Sequence, residues 1–268
     1  MQKLIIIISL LFCGILLNAQ TDSIAIDTIP NTPELDSLEQ EKKERDFKIV
    51  IGENRDSSNN RVRTRYVMLD YGISTYLHKG KMNLPSEYEN MEQQLLGSNQ
   101  WNFIVVAQRI ALDKKRRVNL KYGVGFEFNK YKFQRNHTMQ EEQNEVTFIN
   151  TTTNFTKNNL NATYLKIPII LQYRIKPKNI NSKIKIGIGG YAGLLIASKL
   201  KQKSEDFGKQ KFRDDFNLNR TKAGLTARVG IGVFNLYVDY GLTDLFRKDQ
   251  NGGLDLQPLS FGISIIPF

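Results

Sequence analysis

The chain has 268 residues, of which 24% are charged, with a net charge of +11 and one cysteine. A single cysteine excludes a disulfide framework and a multi-cysteine metal cluster. A basic chain can bind nucleic acid, but its N-terminus carries an export signal, so we predict no nucleic-acid partner. We expect the basic groups to meet water, or the phosphates of a membrane surface.

Residues 1–19 are predicted to be a secretory signal peptide. Lys3 provides the positively charged n-region, and residues 4–17 form an apolar run of fourteen residues. Cleavage is expected after Ala19. A membrane anchor is the alternative, but this run is shorter than the roughly 20 residues that a spanning helix needs. Cys13 would be removed with the signal peptide.

Residues 20–65 differ in composition from the C-terminal three quarters of the chain. They are rich in acidic residues, amides, Ser and Thr, and they contain few large apolar residues. Such a segment buries too little apolar surface to fold by itself. We predict a largely disordered periplasmic linker.

From residue 66 onward the pattern predicts eight strands. Their ranges are 66–77, 99–112, 118–133, 163–175, 183–198, 223–233, 236–245 and 256–268. The second does not alternate through its run FIVVA, so its faces stay unassigned. In the fourth, Pro168 lacks a donor for the ladder, which predicts a bulge or a local break.

The third strand shows the alternation most clearly. Polar or small residues alternate with apolar ones, and the polar set is Asn119, Lys121, Gly123, Gly125 and Glu127. Strict period two indicates a strand with different surroundings on its two faces. A soluble sheet would bury the apolar face in a core, whereas an outer-membrane barrel places it against lipid and the polar face in the lumen.

The connections favour the barrel, because short and long ones alternate along the chain. Outer-membrane barrels keep short turns on the periplasmic rim and long loops outside. We therefore predict an eight-stranded antiparallel up-and-down transmembrane β-barrel over residues 66–268, located in the outer membrane. Both termini would be periplasmic and the long loops extracellular.

Most strand glycines fall on the polar face, including Gly232, and Gly190 is the clear exception. An eight-stranded cylinder is just wide enough for side chains to fill, so inner-wall glycines would make room for long neighbours. The predicted polar network of the lumen is Asp70, Lys121, Glu127, Lys166, Arg174, Lys185, Tyr191, Arg228 and Asp239. Because these residues carry charges of both signs, we expect them to form ion pairs that fill the lumen. The lumen is therefore predicted to be plugged. Trapped ions or a narrow wet path near the rims stay open as alternatives.

Motifs of catalysis are sparse. His78 and His137 lie in predicted outer loops, and an outer-rim hydrolase that uses them is a remote alternative. We predict no enzyme activity, no cofactor and no metal site. Residues 199–220, with seven basic and four acidic side chains, are interpreted as a solvated loop or as a lipopolysaccharide or partner contact. Residues 134–162 are expected to prolong the third and fourth strands.

Several sequence segments resemble those of a known family. They are YLKIPIILQYRI, GIGGYAGLLIASK, DDFNLNRTKAGLTARVGIG, NLYVDYGLTDLF and the ending PLSFGISIIPF, and they are similar to the PorT-like outer-membrane β-barrel family of the Bacteroidetes. The resemblance implies a barrel inserted by the barrel-assembly machinery, with Phe268 as the assembly signal. Phe268 is out of phase with the preceding apolar row, and a one-residue slip at Pro267 would restore it.

Three tripeptides of the linker resemble the O-glycosylation signal known in the Bacteroidetes, in which Asp precedes Ser or Thr and then a small or apolar residue. Ser23, Thr28 and Ser37 are the candidate acceptors. Chance recurrence in a linker rich in Asp, Ser and Thr is the alternative.

The predicted role is structural or interactive at the cell envelope, without defined chemistry. The family resemblance implies an alternative, namely an accessory component of the type IX secretion system or of another envelope complex.

Overall fold

The computed structural model describes residues 62–82, 84–85, 89, 91–134, 136–142, 145–150, 153–175, 184–232, 234–248 and 255–265. The signal peptide, residues 20–61 of the predicted linker with Ser23, Thr28 and Ser37, and the terminal Phe268 lie outside these residues. Residues 62–65 of the predicted linker lie in the first strand of the structure.

The described residues form antiparallel strands joined by turns and loops. The strands are β1 (Val62–His78), β2 (Asn99–Ala111), β3 (Val118–Lys132), β4 (His137–Glu142), β5 (Glu145–Asn150), β6 (Phe155–Ile175), β7 (Ile184–Ser204), β8 (Gly208–Phe212), β9 (Thr221–Ile231), β10 (Phe234–Gly241) and β11 (Leu256–Ile265). A 3₁₀ turn, Leu95–Gly97, lies between β1 and β2. Across the described ranges, no helix is both long enough and apolar enough to cross a membrane.

Eight of the strands close into a cylinder. Their order is β6-β3-β2-β1-β11-β10-β9-β7, and pairing of β6 with β7 completes the ring. Every neighbouring pair is antiparallel. The predicted eight-stranded antiparallel barrel is confirmed. β8 extends the sheet beside the end of β7, while β4 and β5 form a separate hairpin.

The two ends of the cylinder differ. Short connections join β2 to β3, β6 to β7 and β9 to β10, and we name this end the short-turn rim. The opposite end, the long-loop rim, carries the longer connections and the extra strands β4, β5 and β8.

At the long-loop rim, β6 is prolonged as expected for residues 134–162, whereas β7 reaches beyond its predicted limit. β6 begins at Phe155, and β7 continues to Ser204, where it turns back into β8. The expectation of a solvated loop over residues 199–220 is therefore wrong for its first part. Lys199, Lys201 and Lys203 alternate with buried residues, which is a strand pattern that the high charge obscured.

Side chains alternate between the two surfaces of the barrel as the period-two pattern predicts. On β3, Asn119, Glu127 and Asn129 are buried inside, whereas Phe128 is exposed outside. On the outer surface, the rings of Tyr71 and Trp101 pack with their centroids 4.4 Å apart. The exterior of the barrel wall is thus a belt of exposed aliphatic and aromatic side chains.

A β-bulge explains the strand whose two faces could not be assigned from the sequence. The register between β2 and β3 shifts between Ile104 and Val106, so Val105 is an extra residue. Ile104 is 2% exposed and Val105 is 38% exposed. On the facing strand, Val67 drops out of the β1–β2 ladder and has a φ of 58°. The run FIVVA fails to alternate because the chain changes face within it.

Pro168 interrupts one ladder without shifting it. The β3–β6 pairs lapse between Tyr122/Ile169 and Gly125/Lys166, and the register is the same on both sides. On its other edge, Pro168 pairs with Tyr191 of β7. The predicted local break is present, but no bulge accompanies it.

Inner-wall glycines make room for aromatic neighbours. A Cβ added at Gly72 would meet the hydroxyl of Tyr237, and one at Gly224 would meet the ring of Tyr191. The prediction that Gly232 lies on the polar face of a strand is wrong. It lies in the turn after β9 with a φ of 61°, where glycine is favoured.

Two inward glycines provide a matched test of this crowding. At Gly125, a Cβ would collide with the backbone of Phe103 and Ile104, which cannot move without disturbing the ladder; at Gly193, the nearest atom is an ordinary 3.4 Å away. We predict that Gly125→Ala lowers the unfolding free energy by about 1–3 kcal/mol, and that Gly193→Ala has little effect. Unfolding of the purified barrel in denaturant measures both. Equal losses would contradict the account.

Candidate functional site

The interior of the barrel is the candidate site, because the predicted polar residues converge there. All nine residues of the predicted lumen network lie on inward rows of their strands. Six of them form a connected central layer. The other three, Lys121, Arg174 and Lys185, lie toward the short-turn rim.

Ion pairs build the central layer. The ammonium of Lys166, which is 2% exposed, lies 2.6 Å from Glu127 Oε2 and 2.7 Å from Asp239 Oδ2. Arg228 Nη2 lies 2.8 Å from Asp70 Oδ2. A further lysine, Lys222, forms an ion pair with the second oxygen of Glu127. We name Asp70, Glu127, Asp239, Lys166, Lys222 and Arg228 the ion network.

The ion network is balanced in charge and spans the bore. Three cations face three carboxylates, and they come from β1, β3, β6, β9 and β10. The Lys166–Asp239 pair joins β6 to β10, and the Arg228–Asp70 pair joins β9 to β1; in neither case are the two strands neighbours in the ring. The ion pairs therefore link strands of the wall that are not hydrogen-bonded to each other.

Amide side chains add hydrogen bonds to the charged atoms of the network. Asn102 Nδ2 donates to Asp70 Oδ2 at 3.3 Å, and Asn102 Oδ1 accepts from Lys166 at 3.4 Å. Asn129 Nδ2 donates to Glu127 Oε1 at 2.7 Å. Because buried charges cost free energy unless they are paired and hydrogen-bonded, these amides help to hold the charges in the interior.

Tyrosine rings fill the space beside the cations. The Lys166 ammonium lies 4.3 Å from the ring centroid of Tyr191, and Lys222 lies 5.3 Å from that of Tyr164. The Arg228 guanidinium lies 5.5 Å from the ring of Tyr237. These cation–π contacts add to the stabilisation of the buried cations.

Lys222 is the member of the ion network that the sequence prediction missed. The predicted sixth strand began at residue 223, whereas β9 begins at Thr221. Lys222 is in phase with Gly224, Thr226 and Arg228 on the inner face. The two-residue period, extended by one step, would have found it.

Toward the short-turn rim, the interior is looser and basic. A cavity of about 30 Å³ there is lined by Arg109, Lys121 and Lys185 among others, which is room for one or two water molecules. Lys185 donates to the carbonyl of Gly232, and Arg174 Nε donates to Gln172 Oε1 at 3.2 Å.

An apolar cluster closes the bore at the long-loop rim. We name it the mouth cluster, and its buried members are Tyr76, Met91, Tyr131, Phe133, Leu160, Ala162, Tyr164, Leu200, Phe216, Leu218, Leu245, Phe246 and Leu256. Wall residues supply part of it, and Met91, Phe216 and Phe246 come from the connections. These described parts of three connections therefore lie in the mouth of the barrel.

Hydrogen bonds hold those loops in place. Leu218 and Phe246 form an isolated bridge, and the backbone N–H of Asn219 donates to Leu245 at 2.8 Å. Asp215 forms ion pairs with Arg220 and Arg247. Partial burial would raise the pKa of Asp215, but the N–H of Asn217 and the Arg247 guanidinium together hold that pKa below its usual value.

Both histidines are buried at the ends of strands, so their predicted position in outer loops is wrong. His78 ends β1 and is 8% exposed, while His137 begins β4, is 0% exposed and packs 4.8 Å from the ring of Phe133. In the ranges that the structure describes, no group of three or more His, Cys, Asp and Glu side chains is placed to hold a metal.

A comparison with known families identifies this architecture. Residues 112–247, about half of the chain, match the model of a family described as outer membrane protein beta-barrel domain. The match runs from the end of β2 to the loop after β10, and it includes every residue of the ion network except Asp70. No curated protein matches this chain.

Removing the central cation provides a test of the ion network. Lys166→Met leaves two buried carboxylates without that partner, so we predict a loss of about 3–5 kcal/mol in unfolding free energy. Lys185→Met is the matched control, since this lysine is only partly buried and lies near the short-turn rim, and its loss should cost only about 1 kcal/mol. Unfolding of the purified barrel in denaturant measures both, and an equal cost for the two would count against the network.

Proposed function

We propose, on the premise that this chain belongs to the outer membrane protein beta-barrel domain family, that it is a closed, non-conducting barrel with a structural or interaction role in the outer membrane. As an integral outer-membrane barrel, it turns its exposed aliphatic and aromatic belt toward lipid. The role itself is inferred from how the interior and the rims are built.

The observation that supports this proposal is that side chains fill the bore. The mouth cluster closes the long-loop rim, and the ion network with its tyrosines fills the middle. Toward the short-turn rim, the described residues line a small basic cavity of about 30 Å³. A solute would have to displace apolar side chains and then break buried ion pairs, so transport is disfavoured.

Catalysis is also disfavoured. The buried carboxylates of the ion network are already engaged by Lys166, Lys222 and Arg228. A general acid or base needs access to substrate, and the mouth cluster separates these groups from the long-loop rim. We therefore propose a role without enzymatic chemistry.

The orientation that we propose places the long-loop rim outside the cell and both termini in the periplasm. Two features support it. The short connections gather at one rim, as they do on the periplasmic side of outer-membrane barrels. The opposite rim carries the prolonged strands β6 and β7 with the hairpin strand β8. The ordered surface available for interaction then faces outward.

The resemblance to the PorT-like barrels points to a more specific group than the matched family does. Membership of that group is a proposal. It suggests a second role, as an accessory part of a secretion or envelope complex. The closed bore suits a scaffold in such a complex as well as it suits a barrel that acts alone.

Conductance in planar lipid bilayers tests the proposal. We predict that the refolded protein gives no stepwise ion current. The variant Leu218→Ala/Phe246→Ala, which thins the mouth cluster, should also stay closed because the ion network lies below it. Reproducible unitary currents from the unmodified protein would rule out a sealed barrel.

A further inference from the structure

Lysines gather on one outer face of the barrel, where β3, β6, β7 and β8 lie side by side at the long-loop rim. We name this group the lysine patch, and its members are Lys130, Lys157, Lys201, Lys203, Lys209 and Lys211. These residues border a surface depression of about 400 Å³. Its other lining residues in the described chain are amides, and it has no Asp or Glu.

The strand register places like charges directly opposite one another. Lys201 of β7 pairs with Lys211 of β8. Lys203 pairs with Lys157 on one side and with Lys209 on the other. Like charges in directly opposed positions destabilise a sheet, so the bare arrangement works against folding. An anion that bridges the lysines would relieve this repulsion.

The charged form of Lys201 in the patch is also destabilised by its surroundings. Partial burial lowers the pKa of Lys201, and repulsion from Lys199, Lys211, Lys130 and Lys157 lowers it further. The amide of Asn159 lies buried between β3 and β7, opposite Lys132 and Lys201. The patch thus combines several ammonium groups with an amide, and both are good ligands for phosphate.

The height of the patch relative to the apolar belt indicates the partner. Along the outer row of β7, exposed Leu194 and Ile196 end the belt, and lysines follow after Ala197. At about 3.3 Å per residue and a tilt of about 40°, Lys199 and Lys201 lie roughly 8 and 13 Å above Ile196. Polar headgroups occupy about 5–7 Å beyond the hydrocarbon on each side, and long lysine side chains reach back toward that layer.

We propose that the lysine patch binds the phosphate groups of a lipid A headgroup in the leaflet that surrounds the long-loop rim. This inference rests on the proposed outward orientation of that rim. A lipid fits better than a soluble polyanion because the lysines lie on the side wall, in line with the lipid-facing row, and not on top of the mouth.

Titration with lipid in detergent tests the patch. Native mass spectrometry of the full-length barrel would follow binding of bisphosphorylated lipid A and of the same lipid without its phosphates. We predict that Lys201→Gln/Lys211→Gln weakens binding of the phosphorylated lipid about 30-fold, from the contribution of two surface lysines. Its unfolding temperature without lipid should not fall, because the change removes repulsion.

A matched control keeps the same change in net charge. Lys114→Gln/Lys115→Gln alters two exposed lysines of the β2–β3 turn at the short-turn rim, and its affinity should stay unchanged. Equal weakening in both variants, no weakening in the patch variant, or equal binding of the dephosphorylated lipid would each overturn the proposal.

A separate measurement distinguishes this inference from the orientation on which it rests. Asp206→Cys places a thiol in the turn between β7 and β8. Labelling by a membrane-impermeant maleimide on intact cells supports the outward orientation. Labelling only after the outer membrane is opened would overturn the orientation and the cellular role of the patch, even if the lipid still binds in detergent.

Discussion

The pairing of buried charges inside the barrel is the constraint on which the rest of the structure depends. A cylinder of eight strands has an interior that its own side chains must fill, and here the middle of that interior is charged. Lys166 contacts Glu127 and Asp239, and Arg228 contacts Asp70. Since each unpaired buried charge would cost several kcal/mol, this wall is stable only when the strands that carry these groups are in their correct register.

The remaining interior supports that arrangement. Glycines such as Gly72 and Gly224 let the rings of Tyr237 and Tyr191 pack against the wall, and those rings in turn contact Arg228 and Lys166. At the long-loop rim, the chemistry changes to the apolar mouth cluster. The interior is thus layered from a small basic cavity, through ion pairs, to an apolar cluster. On the exterior, the apolar belt is followed by the lysine patch at the long-loop rim, so the outside is layered too.

Much of this could be predicted from the sequence, because period two fixes which residues face inward once a strand is identified. All predicted lumen residues face the interior for that reason. Two kinds of feature could not be predicted from the sequence. One depends on a change of phase, as at the bulge of Val105. The other depends on contacts between strands, such as the burial of His137 beside Asn158 and Gln202 or the pairing of Lys201 with Lys211. High charge also concealed the end of β7, because a lysine-rich segment beyond residue 198 has the composition of a solvated loop.

A double-mutant cycle on Lys166 and Asp239 tests the central claim most directly. The cycle compares the unfolding free energies of Lys166→Met, Asp239→Leu and the double variant. If the pair braces the bore, the double variant loses less than the sum of the single losses, with a coupling energy of about 1–3 kcal/mol. Losses that add to within about 0.5 kcal/mol would contradict it, because two groups in a water-filled bore would not depend on each other.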